Sequence, residues 1–302
     1  MLLNASGCLD ALTAPGTARQ LDAFVTKTVT PLPREGNPPV RIAETDVGML
    51  NSIGLANPGR DRFLSQTLPR LATLGVPIWV SVGGFSASEY AETCARLGRD
   101  EVAAIELNLS CPNVDEAPES AGEIVAACRA ATALPLYAKL SPALPSVPDV
   151  ALAVEAAGAD GLSLVNTIRG LALDPHTLRP RLGPAVGGLS GPALKPIALA
   201  AVYACRRVTE LPIVGMGGVM TGGDALDLIA VGATHVALGT VLFTDNEAPA
   251  RVRRELAEAV ARRGYDYPWK ASGVATEAPP TLHCGSRLPA LKSLEIETKT
   301  SD

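Results

Sequence analysis

Short apolar segments alternate with longer amphipathic segments along most of the chain. Apolar runs bounded by glycine or proline predict buried strands, whereas a 3.6-residue period behind a capping residue predicts helices. The pairs Ser86/Glu89 and Ser146/Asp149 have the spacing of helix caps. Eight strands are predicted, at Leu2–Ala5, Ala23–Thr28, Pro77–Val82, Ala103–Leu109, Leu136–Leu140, Gly161–Asn166, Pro212–Met216 and Thr234–Leu238.

Alternating βα units of this number predict an α/β fold, a (β/α)8 TIM barrel with long inserted loops on the catalytic face. The connection containing Thr30–Asn57 is rich in Pro and Gly and is expected to be structureless and functional. A second insertion covers Arg169–Lys195. Because periodicity fades after Arg263, we predict a catalytic domain over residues 1–266 and a flexible C-terminal tail over 267–302.

Composition narrows the class of protein. With 302 residues and 47% hydrophobic residues, the chain is long enough to bury a large core. The net charge of −5 argues against a nucleic-acid partner. No apolar run is long enough to span a membrane and the N-terminus does not resemble a signal peptide, so we expect a cytoplasmic protein. The six cysteines lack metal-site spacing, which favours free thiols and no bound metal.

Two glycine-bearing segments follow the last two predicted strands, Gly215-Met216-Gly217-Gly218 and Gly239-Thr240. Glycine lets backbone N–H groups approach an anion, and barrels often bind phosphate after strands 7 and 8. These segments predict a phosphate-bearing cofactor, the alternative being simple tight turns. Met220 stands where the dinucleotide fingerprint has its last glycine, so the chain is not expected to hold NAD by itself.

Two lysines lie among apolar residues on predicted strands, Lys27 in VTKTVT and Lys139 in LYAKLSP. A lysine buried in a barrel is costly unless an anion or an electron-rich ring lies beside it. Both are therefore predicted to face a ligand. The alternative is a side chain that extends to solvent at the barrel rim.

Several polar side chains lie at strand ends and in the first long loop. Their donor and acceptor groups suit a small planar ligand with carbonyls and ring N–H groups, such as a pyrimidine or its carboxylate. Turn capping is the alternative for any one of them. The residues are Asn51, Asn108, Asn113, Asn166 and Thr167.

Cys111 follows an apolar strand, beside Pro112, and its free thiol titrates close enough to neutrality to act as a base or a nucleophile. A small buried hydrophobe is the alternative role. We expect that second role for Cys94, Cys128 and Cys205, which lie within predicted helices.

A series of motifs runs from Asn4 to about Phe243: NASGC, TKTVTPLPREGNPPVRIAET, GMLNSIGLANPG, ELNLSCPNV, KLSP, LVNTIRG, GGLSGPALKP, PIVGMGG and ALGT. In this order they resemble the class 1 dihydroorotate dehydrogenases, specifically the B-type catalytic subunit. The resemblance implies an FMN-containing TIM barrel that oxidises (S)-dihydroorotate to orotate in pyrimidine (UMP) biosynthesis. It also implies that Cys111 takes the C5 proton while C6 delivers hydride to the flavin.

The resemblance further implies two sets of binding residues. Those expected at the substrate are Lys27, Asn51, Ile53, Gly54, Leu55, Asn108, Asn113, Asn166 and Thr167. Those expected at FMN are Ser6, Lys27, Thr28, Ser81, Asn108, Lys139, Val165, Gly191, Gly217, Gly218, Gly239 and Thr240.

For the B type, the resemblance implies a partner subunit that carries FAD and a [2Fe–2S] cluster and passes electrons to NAD. The assembly would be a homodimer or a heterotetramer. A fumarate-reducing A type, a non-catalytic or repurposed FMN-binding paralogue, and an enzyme for another dihydropyrimidine are the alternatives.

The sequence departs from the family pattern in three places. It begins almost on the first strand, where family members have a preceding hairpin, and Val114–Ser120 is shorter than the family's lid. Ser81 stands where the family commonly places an asparagine that contacts flavin. The lid change is expected to alter turnover or specificity, because the lid closes on the substrate.

Overall fold

The computed structural model describes residues 1–98, 100–109 and 121–277. Within these ranges the chain forms twelve strands. They are β1 (Leu2–Asn4), β2 (Phe24–Val25), β3 (Ile42–Thr45), β4 (Gly48–Asn51), β5 (Ile78–Val82), β6 (Ala104–Asn108), β7 (Leu136–Leu140), β8 (Gly161–Leu164), β9 (Ile168–Leu171), β10 (Val186–Ser190), β11 (Ile213–Met216) and β12 (His235–Leu238).

Helices lie between most of these strands. A π-helical turn at Phe63–Thr67 joins the second helix to the third, and 3₁₀ turns occur at Pro192–Leu194, Thr240–Phe243 and Pro268–Ala271. The α-helices in the described ranges are α1 (Pro15–Ala18), α2 (Arg60–Arg62), α3 (Leu68–Ala72), α4 (Ala87–Ala95), α5 (Ala121–Ala131), α6 (Val147–Ala156), α7 (Lys195–Arg206), α8 (Gly222–Ala230), α9 (Ala248–Ala261) and α10 (Val274–Glu277).

Eight parallel strands form one sheet in the order β1-β12-β11-β8-β7-β6-β5-β2. A bridge between Leu3 and Ala23 joins its two edges. The Asn4 carboxamide extends this seam: it accepts a hydrogen bond from the Val25 N–H and donates one to the Val25 carbonyl, both at 2.8 Å. The predicted (β/α)8 barrel and all eight predicted strands are confirmed.

Large apolar side chains fill the barrel interior away from the strands' carboxyl ends. Leu3, Val25, Trp79, Tyr137 and Val214 belong to one buried cluster, in which the rings of Trp79 and Tyr137 are 4.4 Å apart. Side chains alternate along a strand, so a residue two positions further along again points inward, toward the carboxyl ends. The apolar cluster therefore lies beneath the inward-facing polar residues at the carboxyl ends of the strands, such as Glu106 and Lys139.

The helices pack their apolar stripes against the outside of the barrel. The Ser86 and Ser146 hydroxyls accept hydrogen bonds from the N–H groups of Glu89 and Asp149, so both predicted caps are confirmed. Cys94, Cys128 and Cys205 lie in α4, α5 and α7 with no exposed surface, as expected of small buried hydrophobes.

The connection containing Thr30–Asn57 is not structureless, so that expectation is wrong, and both long insertions contain strands. They pair with each other in a four-stranded antiparallel sheet of order β3-β4-β10-β9, which we call the roof sheet. Leu50 and Leu182 are buried beneath it. Gly191 and Gly48 touch where the roof sheet meets the barrel: a Cβ on Gly191 would lie 2.6 Å from the Gly48 Cα. Backbone pairing therefore outweighs the high Pro and Gly content.

The packed structure continues beyond the expected domain boundary at Tyr267. Ala271 is buried in a cluster with Leu226, Ala259 and Val260, and α10 contacts α7 and α8. Residues 278–302 of the expected tail lie outside the described residues. Among the helices that are described, none has the length and apolar character needed to cross a membrane.

Candidate functional site

A cavity of about 440 Å³ opens at the carboxyl ends of the barrel strands, beneath the roof sheet. Its volume is in the range of small-molecule and cofactor sites, about 300–1,000 Å³. Residues that end or follow barrel strands line it, among them Ala5, Lys27, Asn108, Val165 and Gly239. This is the face on which TIM barrels place their active sites.

The cavity brings together nearly all of the predicted site residues that the structure describes. Cys111 and Asn113 lie outside the described residues, together with the whole Val114–Ser120 segment. Ser81 is described but does not line the cavity. The predicted residues that do are Ser6, Lys27, Thr28, Asn51, Ile53, Gly54, Leu55, Asn108, Lys139, Val165, Asn166, Thr167, Gly191, Gly217, Gly218, Gly239 and Thr240.

The carboxamides form a connected network on the cavity wall. Asn108 donates to the Thr28 hydroxyl at 3.3 Å and accepts from the Asn166 side chain at 3.3 Å. The Asn166 carbonyl oxygen also accepts from the Thr167 N–H at 2.8 Å. Asn51 donates to the Gly188 carbonyl of the roof sheet at 3.2 Å. These bonds fix the amides while leaving donor and acceptor capacity for a ligand.

Ser81 supports this wall from behind. It is completely buried, and its hydroxyl lies 3.0 Å from the Thr28 hydroxyl, which in turn lies 3.4 Å from that of Ser6. Thr28 is thus held by Ser81 on one side and by Asn108 on the other. In this structure Ser81 positions a cavity residue rather than lining the cavity itself.

Lys27 is half-buried in the cavity. Within the described residues its ammonium has neither an ion pair nor a hydrogen-bond acceptor. Burial lowers the pKa of Lys27, and the nearby positive charge of Lys139 lowers it further against an opposing effect of Cys8. An anionic or carbonyl-rich ligand at this position would relieve the cost of burying the ammonium. This environment fits a lysine that faces a ligand.

Lys139 lies deeper and is only 6% exposed, which rules out a rim position. Its ammonium is 3.5 Å from the carboxylate of Glu106, another buried residue of the barrel interior. Glu106 precedes Asn108 by two positions on β6, so both face inward. Lys139 therefore places a positive charge at the floor of the cavity, and the Glu106 carboxylate beneath it balances part of that charge.

Cys8 is a cavity thiol that was not predicted as a site residue. Burial raises its pKa, while the charges of Lys139 and Lys27 oppose that shift. The thiol is therefore held in its neutral form at physiological pH.

The two glycines that follow β11 allow an unusual backbone conformation and a close approach to the start of α7. Gly217 and Gly218 have φ of 125° and 73°, conformations that favour glycine. A Cβ on Gly218 would lie 2.7 Å from the Lys195 Cβ, at the start of α7. The tight-turn alternative is thus partly correct here. Gly239 differs, because a Cβ there would come no closer than 3.8 Å to any atom.

Several further residues line the cavity from the roof sheet and from around its mouth, and none of them was predicted as a site residue. Arg169 lies on β9, and Met49 lies on β4. Arg34 stacks on the ring of Phe85, at 4.8 Å from the ring centre. Arg169, Met49 and Arg34 lie within the family motifs, but none was predicted to reach the cavity, since their proximity depends on how the two insertions pair.

This geometry can be compared with known proteins. A family model described as dihydroorotate dehydrogenase matches residues 1–260. This chain belongs to the dihydroorotate dehydrogenase family. The family resemblance inferred from the motifs is therefore confirmed.

Curated relatives within the dihydroorotate dehydrogenase family are named dihydroorotate dehydrogenase B (NAD(+)), catalytic subunit. The protein of Listeria welshimeri is 45% identical over 234 residues, 75% of this chain and 77% of the relative. That of Desulforudis audaxviator is 44% identical over 252 residues, 81% of this chain and 82% of the relative. The similarity to proteins of this name supports the B type.

A solved structure in the same family has a similar fold. A DHODH from Eimeria tenella, crystallised with ferulenol, superposes with a TM-score of 0.78. The match covers 92% of this chain and 85% of that chain at 23% sequence identity. It shows that the two proteins share the barrel fold.

Proposed function

We propose that this chain oxidises (S)-dihydroorotate to orotate, as the FMN-dependent catalytic subunit of a B-type dihydroorotate dehydrogenase in pyrimidine biosynthesis. The observation that carries the proposal is the convergence of Lys27, Asn51, Asn108, Asn166 and Thr167 on one cavity. A carboxylate, two ring carbonyls and two ring N–H groups require this mixture of cation, donors and acceptors. The names of the relatives point to the same substrate.

The proposed reaction removes two hydrogens from adjacent ring carbons. Cys111 takes the C5 proton, which is acidic because it lies alpha to a carbonyl, and C6 loses hydride. Lys27 and the carboxamides hold the ring so that both hydrogens face their acceptors. Asn113 is proposed to complete the substrate contacts. The roles of Cys111 and Asn113 rest on the family motif alone.

The residues present fit FMN. The N–H groups of Gly218 and Gly239 have no acceptor among the described residues, and the space beside Gly239 is open. Gly217 and Thr240 lie beside them on the cavity wall. These groups would hold a phosphate.

The remaining wall would hold the rest of the cofactor. Bound FMN would accept the hydride from C6. Lys139, anchored by Glu106, would place positive charge beside the isoalloxazine ring and favour its anionic reduced form. Ser6, Thr28, Val165 and Gly191 would line the ring and the ribityl chain, with Ser81 acting through Thr28.

We propose that electrons then leave through a partner subunit that carries FAD and a [2Fe–2S] cluster, with NAD as the final acceptor. The curated relatives are named as catalytic subunits of an NAD(+)-linked enzyme. In the described residues no group of three or more His, Cys, Asp and Glu side chains could hold a metal.

The proposed assembly is a homodimer of barrels in the cytoplasm, or a heterotetramer with the partner subunit. Exposed apolar side chains on and near the roof sheet support a protein contact there. They are Val40, Val47, Leu171, Leu173 and Leu178. Sedimentation of the chain with and without its partner subunit would measure the stoichiometry.

Anaerobic addition of dihydroorotate to the flavin-loaded protein tests the reaction. We expect the flavin absorbance of the wild-type protein to bleach after mixing. Cys111→Ala should slow this bleaching by about 10²-fold or more, because loss of a general base usually has an effect of this size. Cys205→Ala, a buried thiol in α7, is the matched control and should bleach normally. A flavin-loaded wild-type protein that dihydroorotate leaves yellow would refute the proposal.

The electron acceptor is tested separately on the bleached protein. Reoxidation by NAD only when the partner subunit is present is expected for the B type. Rapid reoxidation by fumarate alone would assign the chain to the A type instead.

A further inference from the structure

The charge of the cavity is opposite to that of the whole chain. The chain carries a net charge of −5. Yet Lys27, Arg34, Lys139 and Arg169 line the cavity, and no Asp or Glu does so within the described ranges. Glu106 reaches Lys139 from below the floor without lining the cavity. The part of the cavity wall that the described residues form is therefore positive, although the chain as a whole is acidic.

These cations follow a gradient of burial. Arg34 and Arg169 are exposed at the mouth, Lys27 is half-buried further in, and Lys139 is buried at the floor. Only the two lysines belong to the substrate and cofactor sets proposed above. The two arginines have no role in that scheme.

Arg34 is held across the mouth. Its guanidinium lies over the ring of Phe85, and its Nε donates to the Gly54 carbonyl at 3.3 Å. Neither partner carries a negative charge, so the positive charge of Arg34 is not neutralised by an ion pair.

Arg169 is unpaired among the described residues and lies on β9, opposite Gly188 of β10. Val186, which is apolar, also lines the cavity and lies two positions from Gly188 on β10. An arginine whose charge no neighbouring carboxylate neutralises adds positive charge to the local potential.

We infer that Arg169 and Arg34 form a cationic entrance that captures a small carboxylate substrate and guides it toward Lys27. This inference rests on the proposed function, because dihydroorotate and orotate are carboxylate anions. The two arginines act on the encounter and not on the bound complex, so they determine which ligands enter and how fast. A neutral pyrimidine of the same shape would gain nothing from them.

Ionic strength separates guidance from contact. Charges more than a Debye length apart are screened, and that length falls from ~10 Å at 0.1 M salt to ~3 Å at 1 M. Electrostatic guidance therefore raises the association rate at low salt only, whereas a direct contact with the bound ligand slows dissociation.

The test is stopped-flow binding of orotate to the oxidised, flavin-loaded protein, followed by the flavin spectrum. The variants are Arg169→Gln, Arg169→Glu and the double variant Arg34→Gln/Arg169→Gln. Arg179→Gln is the matched control, since Arg179 is exposed on the same insertion but does not line the cavity. Each variant is measured at about 20 mM and about 500 mM ionic strength.

At low salt we expect the association rate constant to fall about 2- to 3-fold in Arg169→Gln, and about 5- to 10-fold in Arg169→Glu and in the double variant. Dissociation should stay within about 2-fold, the differences should nearly vanish at high salt, and Arg179→Gln should match wild type. Equal association rates across the series, or losses confined to dissociation, would overturn the inference. Failure of the proposed function gives a different result, in which wild-type protein does not respond to orotate at any salt concentration.

Discussion

The Asn166 side chain donates a hydrogen bond to the Asn108 carboxamide at 3.3 Å, although β7 lies between β6, which ends at Asn108, and β8, which ends shortly before Asn166. Lys139 lies on that intervening strand. Residues from three neighbouring strands therefore meet at one point on the cavity wall. Several consequences can be measured.

Asn108→Ala should weaken orotate binding. The substitution removes the shared partner of Thr28 and Asn166, and an unsatisfied polar group costs about 1–3 kcal/mol, or roughly 5- to 150-fold in affinity. Spectral titration would measure the change. Asn246→Ala, at an exposed position outside the cavity, should bind orotate like wild type.

Asn108→Ala and Asn166→Ala should not be additive in orotate binding. Each substitution breaks the same hydrogen bond, so the double variant should lose less binding free energy than the sum of the two single losses. A double-mutant cycle with a coupling energy near zero would show that the two amides act independently.

Gly218→Ala should destabilise the fold and weaken flavin retention. The residue has φ of 73°, and the new Cβ would lie 2.7 Å from the Lys195 Cβ and 2.8 Å from the Lys195 N. We expect a loss of about 1–3 kcal/mol in the free energy of unfolding, measured by urea denaturation. Gly16→Ala is the control, since a Cβ there meets no atom within 4 Å. A Gly218→Ala protein as stable as wild type would contradict this reading of the turn.

His235, at the start of β12, should make the free energy of unfolding sensitive to acid. Burial, aided by repulsion from the Met1 ammonium, lowers the pKa of His235 from 6.5 to about 4. The unfolded chain therefore binds the extra proton first, and stability falls as the pH drops from 6.5 toward 4.

His235→Gln should remove about 2 kcal/mol of that acid-induced loss, allowing for partial exposure of the ring. Urea denaturation at pH 7 and pH 4.5 would measure it. His176→Gln, at an exposed position, serves as the control. An unchanged pH dependence in His235→Gln would mean that other groups dominate.

The helix thiols should resist alkylation in the native protein. A side-chain hydrogen bond with Cys128 that favours the protonated thiol, together with burial, raises the pKa of Cys94, and burial raises that of Cys205 to about 11. Iodoacetamide at pH 7.5 should label both at least about 10-fold more slowly in the folded protein than in urea, by peptide mass spectrometry. Equal rates in the two conditions would show that these helices open readily.

The barrel could be predicted because its strands are mostly apolar, apart from the polar residues that face the interior, and each has a boundary at both ends. Burial on both faces leaves that signal in the sequence of any one strand. The roof sheet leaves no such signal, because IRGL alternates between half-buried and exposed positions and IAET has only Ala43 fully buried. Its stability comes from pairing between insertions that are far apart in the chain.

The candidate site was predictable to the extent that it depends on strand ends. A parallel barrel gathers these ends on one face, so Lys27, Asn108 and Asn166 could be placed together. Whether a strand residue lines the cavity or supports another residue depends on depth, which is why Ser81 lies behind Thr28. Arg169 depends on the register of the roof sheet and could not be foreseen.

Because β4 and β10 are hydrogen-bonded to each other, the two halves of the cavity's cover cannot move independently. A ligand that contacts Asn51 also restrains Gly188 through their hydrogen bond, although Gly188 lies more than a hundred residues away along the chain. Amide hydrogen exchange should therefore slow in both insertions when orotate binds, even where only one of them contacts it. Ligand binding would thus stabilise β4 and β10 together, although they come from two distant stretches of the sequence.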